Sequence, residues 1–197
     1  VIEKSRFICT LKKVSSETEA QDFIKVVKKE FWDATHNCSA YIIDDLAQRS
    51  SDDGEPSGTA GLPMLEVLRK NQLSGVAAVV TRHFGGIKLG AGGLVRAYTG
   101  SVSKAVQSCG LARKILMGTF ALSADAADAG KLLNIIYQQQ LFTVASVEYG
   151  QQARILLYMK QEQQDEAERW LTEALNTATQ LEQVGSEYVE VPAEREK

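Results

Sequence analysis

Between Gly85 and Gly93 five of nine residues are glycine, in a chain of 197 residues with fifteen glycines in all. Such a stretch asks for backbone that a Cβ would obstruct, through positive φ or through very close approach of another group. Gly75-Val76-Ala77-Ala78-Val79-Val80 precedes it and reads as a buried strand. Beyond it Leu94, Val95, Tyr98, Val102, Ala105, Val106 and Cys109 recur at helical spacing. Strand, glycine loop and helix in that order make a candidate anion cradle, because loop amides and a helix N-terminus point the same way.

Charge supports that expectation. From Val67 to Ala124 there is no Asp or Glu, while Arg69, Lys70, Arg82, Lys88, Arg96, Lys104, Arg113 and Lys114 all fall there. One sign of charge around a glycine loop suits a phosphate or another acidic partner. The competing reading is that the glycines serve packing and that the cations pair with acids elsewhere in the fold. Two common nucleotide motifs are excluded. No glycine here precedes Lys-Ser or Lys-Thr as in a P-loop, and Gly90-Ala91-Gly92 puts Val95 where a dinucleotide fingerprint needs its last glycine.

At 44% hydrophobic and 24% charged residues the composition is that of a globular protein. No apolar run approaches the roughly 20 residues of a membrane-spanning helix, so no membrane partner is expected. Cys9, Cys38 and Cys109 are few and scattered, which fits a reducing, cytoplasmic setting. His36 and Cys38 have metal-like spacing without a second pair to complete a site, so neither metal nor cofactor is expected. Residues 1–110 hold fourteen Lys and Arg against twelve Asp and Glu, a net +2; residues 111–197 hold eight against thirteen, a net −5. Opposite signs predict two domains, 1–112 and 113–197.

Along the chain, strands are expected at Glu3 to Leu11 and Asn37 to Ile43, with a helix over 17–31 capped by Ser16 and Glu19. The polar connection from Asp44 to Thr59 is long enough to suggest function. Its Asp52, Asp53, Gly54, Glu55 and Pro56 do not follow the EF-hand alternation. Asp53 and Glu55 are expected to meet Arg82 or Lys88, the alternative being a divalent ion with few protein ligands. Thr59 is a candidate N-cap for a helix over about 60–70, with Pro63 tolerated in its first turn. Past Gly110 the order strand, helix, two strands, helix, strand predicts a ferredoxin-like βαββαβ domain, so the chain as a whole is α+β.

Lys4-Ser5-Arg6-Phe7-Ile8, the Ser51 to Gly61 segment and the Arg82 to Tyr98 segment together resemble the IMPACT family. The resemblance implies an N-terminal domain similar to the second domain of a small-subunit ribosomal protein. It implies a C-terminal domain like a late domain of the translocating elongation factor. Eukaryotic members of that family bind a large ribosome-associated protein and regulate translation. The family signature falls on Asp53, Gly54, Glu55, Pro56, Thr59, Gly61, Arg82, Gly85, Gly86, Leu89, Gly90, Gly93 and Tyr98.

No catalytic residue is assigned. Cys38 with His36, Ser101 with Ser103, and His83 lack a visible constellation. The expectation is a non-enzymatic protein that binds RNA, the ribosome or a translation-associated protein through Arg82, His83, Gly85, Gly86, Lys88, Gly90, Gly92, Gly93 and Arg96. The alternative is an enzyme or sensor for a small phosphorylated ligand, held between the glycine loop and the Ser51 to Gly61 loop.

Overall fold

In a computed structural model, which describes residues 1–193, the chain divides into two compact units, Val1–Leu111 and Ala112–Lys197. The first runs β1 (Arg6–Lys13), α1 (Glu17–Glu30), β2 (His36–Ile42), β3 (Gln48–Ser51), α2 (Gly61–Lys70), β4 (Val76–His83) and α3 (Gly90–Cys109). Its sheet has the order β1-β4-β2-β3 with every neighbouring pair antiparallel.

Period-2 alternation splits this sheet between two apolar layers. Cys38, Ala40, Ile42, Ala78 and Val80 face α2 and α3, packing on Met64, Leu68, Leu94, Tyr98 and Val102. Tyr41, Ala77 and Val79 face the other way, onto Ala20, Phe23 and Val27 of α1. Because β4 is covered on both faces, it reads as an unbroken apolar run. The Ser16 hydroxyl accepts from Glu19 N at 3.2 Å, and the Glu19 carboxylate accepts from Ser15 N at 2.9 Å, so the helix start expected there is present.

Three details depart from the expectations. The polar connection contains a short strand, β3, paired with β2 over Ser39–Ile42. Its sequence, Gln-Arg-Ser-Ser, has no apolar alternation to betray it, since an exposed edge strand is selected by backbone pairing rather than by burial. The central strand continues to His83, so Arg82 and His83 belong to β4 and not to the loop. Thr59 does not cap α2: its hydroxyl donates to Pro56 O at 2.6 Å, and the free amides of Ala60 and Gly61 go to Asp52.

The second unit runs β5 (Ala112–Asp125), α4 (Ala129–Ile136), β6 (Thr143–Tyr149), β7 (Gln152–Met159), a 3-10 turn (Gln161–Gln163), α5 (Gln164–Leu175) and β8 (Glu182–Pro192). The strand order β6-β7-β5-β8, antiparallel throughout, is the split βαβ arrangement. Phe120, Leu122, Ile155 and Leu157 pack on Leu132, Ile136, Ala167 and Leu171. The first helix of this unit begins only at Ala129, because β5 extends to Asp125 in register with Gln152.

Candidate functional site

The starts of β1 and β2 and the end of β4 lie at one end of the first sheet, where Arg6 is opposite His83 and His36 is opposite Arg82. The loops on either side of the motif segments meet there. Alternation sends Phe7, Cys38 and Arg82 toward α3, and His83 to the opposite face, where its Nδ1 lies 4.0 Å from Asp33. Glu55 enters from the loop, and Tyr98 from α3.

These groups form one buried polar network. Arg82 is 5% exposed and its Nη1 donates to Glu55 Oε1 at 2.7 Å. The same oxygen accepts from the Tyr98 hydroxyl at 2.8 Å. Arg82 Nη2 donates to Ser5 Oγ at 3.3 Å, and its Nε is buried without a hydrogen bond. The guanidinium also sits 5.4 Å from the ring centroids of both Phe7 and Phe84, in cation–π range. Cys38 Sγ lies 2.9 Å from Asp52 O and 3.3 Å from the Tyr98 hydroxyl. Burial pushes the Cys38 thiol up to about 12, against the opposing hydrogen bond to Tyr98 and with help from the neighbouring acids. A thiol so disfavoured as thiolate is a poor nucleophile at neutral pH. Burial likewise raises the Tyr98 phenol well above its ordinary value, so it remains a donor.

The remaining carboxylates of the Asp52 to Gly61 loop are committed to the fold. Asp52 Oδ1 accepts from Ala60 N at 3.0 Å and Gly61 N at 2.8 Å, and Oδ2 accepts from Gly58 N at 2.8 Å. Burial opposes its ionisation, but those three amides outweigh it and hold the carboxyl below its usual range. Asp53 takes the Lys28 ammonium on one oxygen and Asn37 N on the other, and is likewise held low despite burial. The turn that makes this possible has Asp53 and Gly54 at positive φ, and exposes Gly54 and Pro56. A Cβ on Gly61 would come within 2.7 Å of the Ser51 backbone, so only glycine lets α2 start here.

The glycine loop divides into a bound root and an open tip. At the root, a Cβ on Gly85 would lie 2.1 Å from the Lys4 carbonyl, and Gly85 N donates to Ser5 Oγ at 3.2 Å. Gly93 lies near Leu89, where a Cβ would approach within 3.0 Å. At the tip, Gly86 and Gly90 adopt positive φ with nothing near the space a Cβ would fill. Lys88, Gly92 and Arg96 are exposed, and the Arg96 guanidinium lies over the first turn of α3 beside Gly92. That turn has neither a capping side chain nor an acidic residue. Neither Lys88 nor Arg96 has an ion-pair partner among the described residues.

The expected meeting of the two loops therefore takes place through Glu55 and Arg82, while Asp53 goes to Lys28. Arg82 and Gly85, both expected to contact a ligand, are taken up inside the protein. Lys88, Gly86, Gly90, Gly92 and Arg96 face solvent. Ser5, Asn37 and Thr35, which tie the loop roots together, escaped notice in the sequence, where only the run containing Ser5 offered a signal. Thr35 Oγ1 accepts from Phe84 N at 3.0 Å, and Asn37 Oδ1 accepts from the Thr81 hydroxyl at 2.7 Å.

Fold and site together define a two-unit α+β protein with an internally paired Arg–Glu–Tyr network beneath an exposed glycine loop. The Impact N-terminal domain matches residues 3–106, and a domain of unknown function, DUF1949, matches residues 122–176. The chain belongs to the IMPACT family. It is 47% identical to the IMPACT family member YvyE of Bacillus subtilis over 192 residues, 96% of this chain and 88% of that one. Identity to the IMPACT family member YigZ of Escherichia coli is 39% over 152 residues, 70% of this chain and 74% of that one. The Protein IMPACT homolog of Dictyostelium discoideum is 39% identical over 94 residues, 45% of this chain and 27% of that protein. A solved structure described as a hypothetical protein aligns with a TM-score of 0.57 at 31% identity, covering 93% of this chain and 91% of that one. No helix among the described residues is long and apolar enough to cross a membrane.

Proposed function

We propose that this chain is a non-enzymatic, cytosolic binding protein of the translation apparatus, which holds RNA through the exposed tip of its glycine loop. The link to translation rests on the likeness to the IMPACT family. The observation that carries the RNA reading is the division of charge at the site. Asp52, Asp53 and Glu55 are neutralised by internal donors, whereas Lys88 and Arg96 remain exposed and unpaired beside uncapped amides of α3. Field lines from the loop thus find no internal carboxylate, and a phosphate backbone is their natural complement. The raised Cys38 thiol and the paired Arg82 give no support to covalent chemistry at the same place.

The test is a salt titration of RNA or ribosome association. With Z phosphates contacted, affinity falls as a power of salt, and removing one contact reduces that slope by about one unit. Lys88→Ala combined with Arg96→Ala is expected to lower the slope by about two units without altering the melting temperature. An unchanged slope would remove the loop from the interface. Stabilisation by a phosphorylated metabolite, absent in that double variant, would favour a small-ligand sensor instead.

A further inference from the structure

Building on the reading of the loop as an RNA surface, we propose that it selects unpaired nucleotides, whose bases stack on Phe84 with Trp32 as a second aromatic contact. Phe84 directly follows β4 and is 47% exposed. Its position is nevertheless fixed. Its N–H donates to Thr35 Oγ1, the next N–H donates to Ser5 Oγ, and the Arg82 guanidinium beside its ring is anchored by Glu55. An aromatic face held in place by buried groups loses little conformational freedom when a flat partner covers it.

Trp32 is 82% exposed in the turn between α1 and β2. That turn is fastened to the same end of the sheet, since Thr35 N donates to Arg82 O at 2.9 Å and Asp33 lies against His83. Two large aromatic side chains left in water at one sheet end are more informative than scattered apolar exposure. Tyr98, also near the loop, is fully buried and cannot take part. Lys4, Arg6 and Lys88 are exposed at this end with no ion-pair partner among the described residues, against Glu3 and Asp33 as nearby acids. Cations for phosphates and fixed π-faces for bases are the pairing that single strands require, and stacking tolerates any base because each has a π-face. In a duplex the bases already stack on one another, so only the cations remain useful.

The experiment uses the full chain, a labelled oligouridine and a blunt RNA duplex of equal phosphate number, at one salt concentration. The wild type is expected to prefer the single strand. Phe84→Ala should weaken that binding about tenfold, Phe84→Trp should retain it, Phe84→Leu should not, and duplex binding should be indifferent to all three. Oligouridine should quench tryptophan emission in the wild type but not in Trp32→Phe, because Trp170 packs on Phe142 in the second unit. Equal affinity for both RNAs with no loss in Phe84→Ala overturns the stacking inference and leaves the basic-surface reading standing. Wild-type affinity in Phe84→Leu also overturns it, pointing to a general apolar contact of the kind a protein partner makes. Failure of the wild type to bind either RNA at low salt defeats the underlying reading itself.

Discussion

The Asp52 to Gly61 loop and the glycine loop lie side by side and are both dense in glycine and charge, yet they are employed in opposite ways. In the first, each of the three carboxylates is consumed by the protein: Asp52 holds the start of α2, Asp53 ties α1 to β2, and Glu55 joins β4 to α3. In the second, only the root is engaged, and the tip leaves Gly86, Lys88, Gly90 and Gly92 in solvent. A motif residue is therefore no guide to a ligand until its internal partners are known. The carboxylate loop is a brace, and it frees the basic loop beside it from any need to supply the fold's own counterions.

The sharpest way to break this contrast is Arg82→Ala, which leaves Glu55 buried without its cation. The expected cost is about 3–5 kcal/mol, read as a lower urea midpoint for the first unit. A loss within the range of surface substitutions would mean that the network is not the brace. Gly85→Ala follows. Its Cβ would meet backbone rather than a mobile side chain, so a loss of about 1–3 kcal/mol is expected, whereas Gly92→Ala within α3, whose Cβ would meet only the end of the Arg96 side chain at an ordinary 3.5 Å, should stabilise by up to about 1 kcal/mol. Equal effects at the two glycines would erase the distinction between root and tip.

Asp52→Asn should cost about 1–2 kcal/mol at neutral pH, through weaker acceptance of three amides. The Asp52 carboxyl is held low in the fold, so its contribution is complete above the unfolded value, near 3.9, and is lost as pH falls through the folded value. The gap between variant and wild type should accordingly narrow below about pH 4 in thermal melts, and a gap that widens there would contradict the assignment. Smallest of all, Lys88→Ala should change stability by no more than about 0.5 kcal/mol, while lowering the salt slope of RNA binding by about one unit.

Much of this was legible beforehand for identifiable reasons. The apolar strand up to Val80, the helix carrying Tyr98 and the βαββαβ order of the second unit follow from apolar periodicity, which reports burial directly; the polar end of that strand, Thr81 to His83, does not. The meeting of a loop carboxylate with Arg82 was readable as charge seeking charge. What periodicity could not report was the edge strand Gln48–Ser51, held by backbone pairing alone, or the capping of α2 from Asp52, eight residues before its N-cap Ala60. Thr35 and Asn37 were equally silent, because their partners, Phe84 N and the Thr81 hydroxyl, arrive from a distant segment.

The sequence by itself determined the strands and helices with an apolar face, the family, the excess of cations around the glycines, and the presence of a turn that only glycine permits. These are properties of local spacing and composition. Tertiary structure alone decided which cation turned inward and which stayed in water. Arg82 and Lys88 are only six residues apart, but pleat direction aims one at Glu55 and Tyr98, while the other sits on a loop that no carboxylate reaches. That outcome depends on the three-dimensional convergence of β4, α3 and the Asp52 to Gly61 loop, which no one-dimensional pattern encodes.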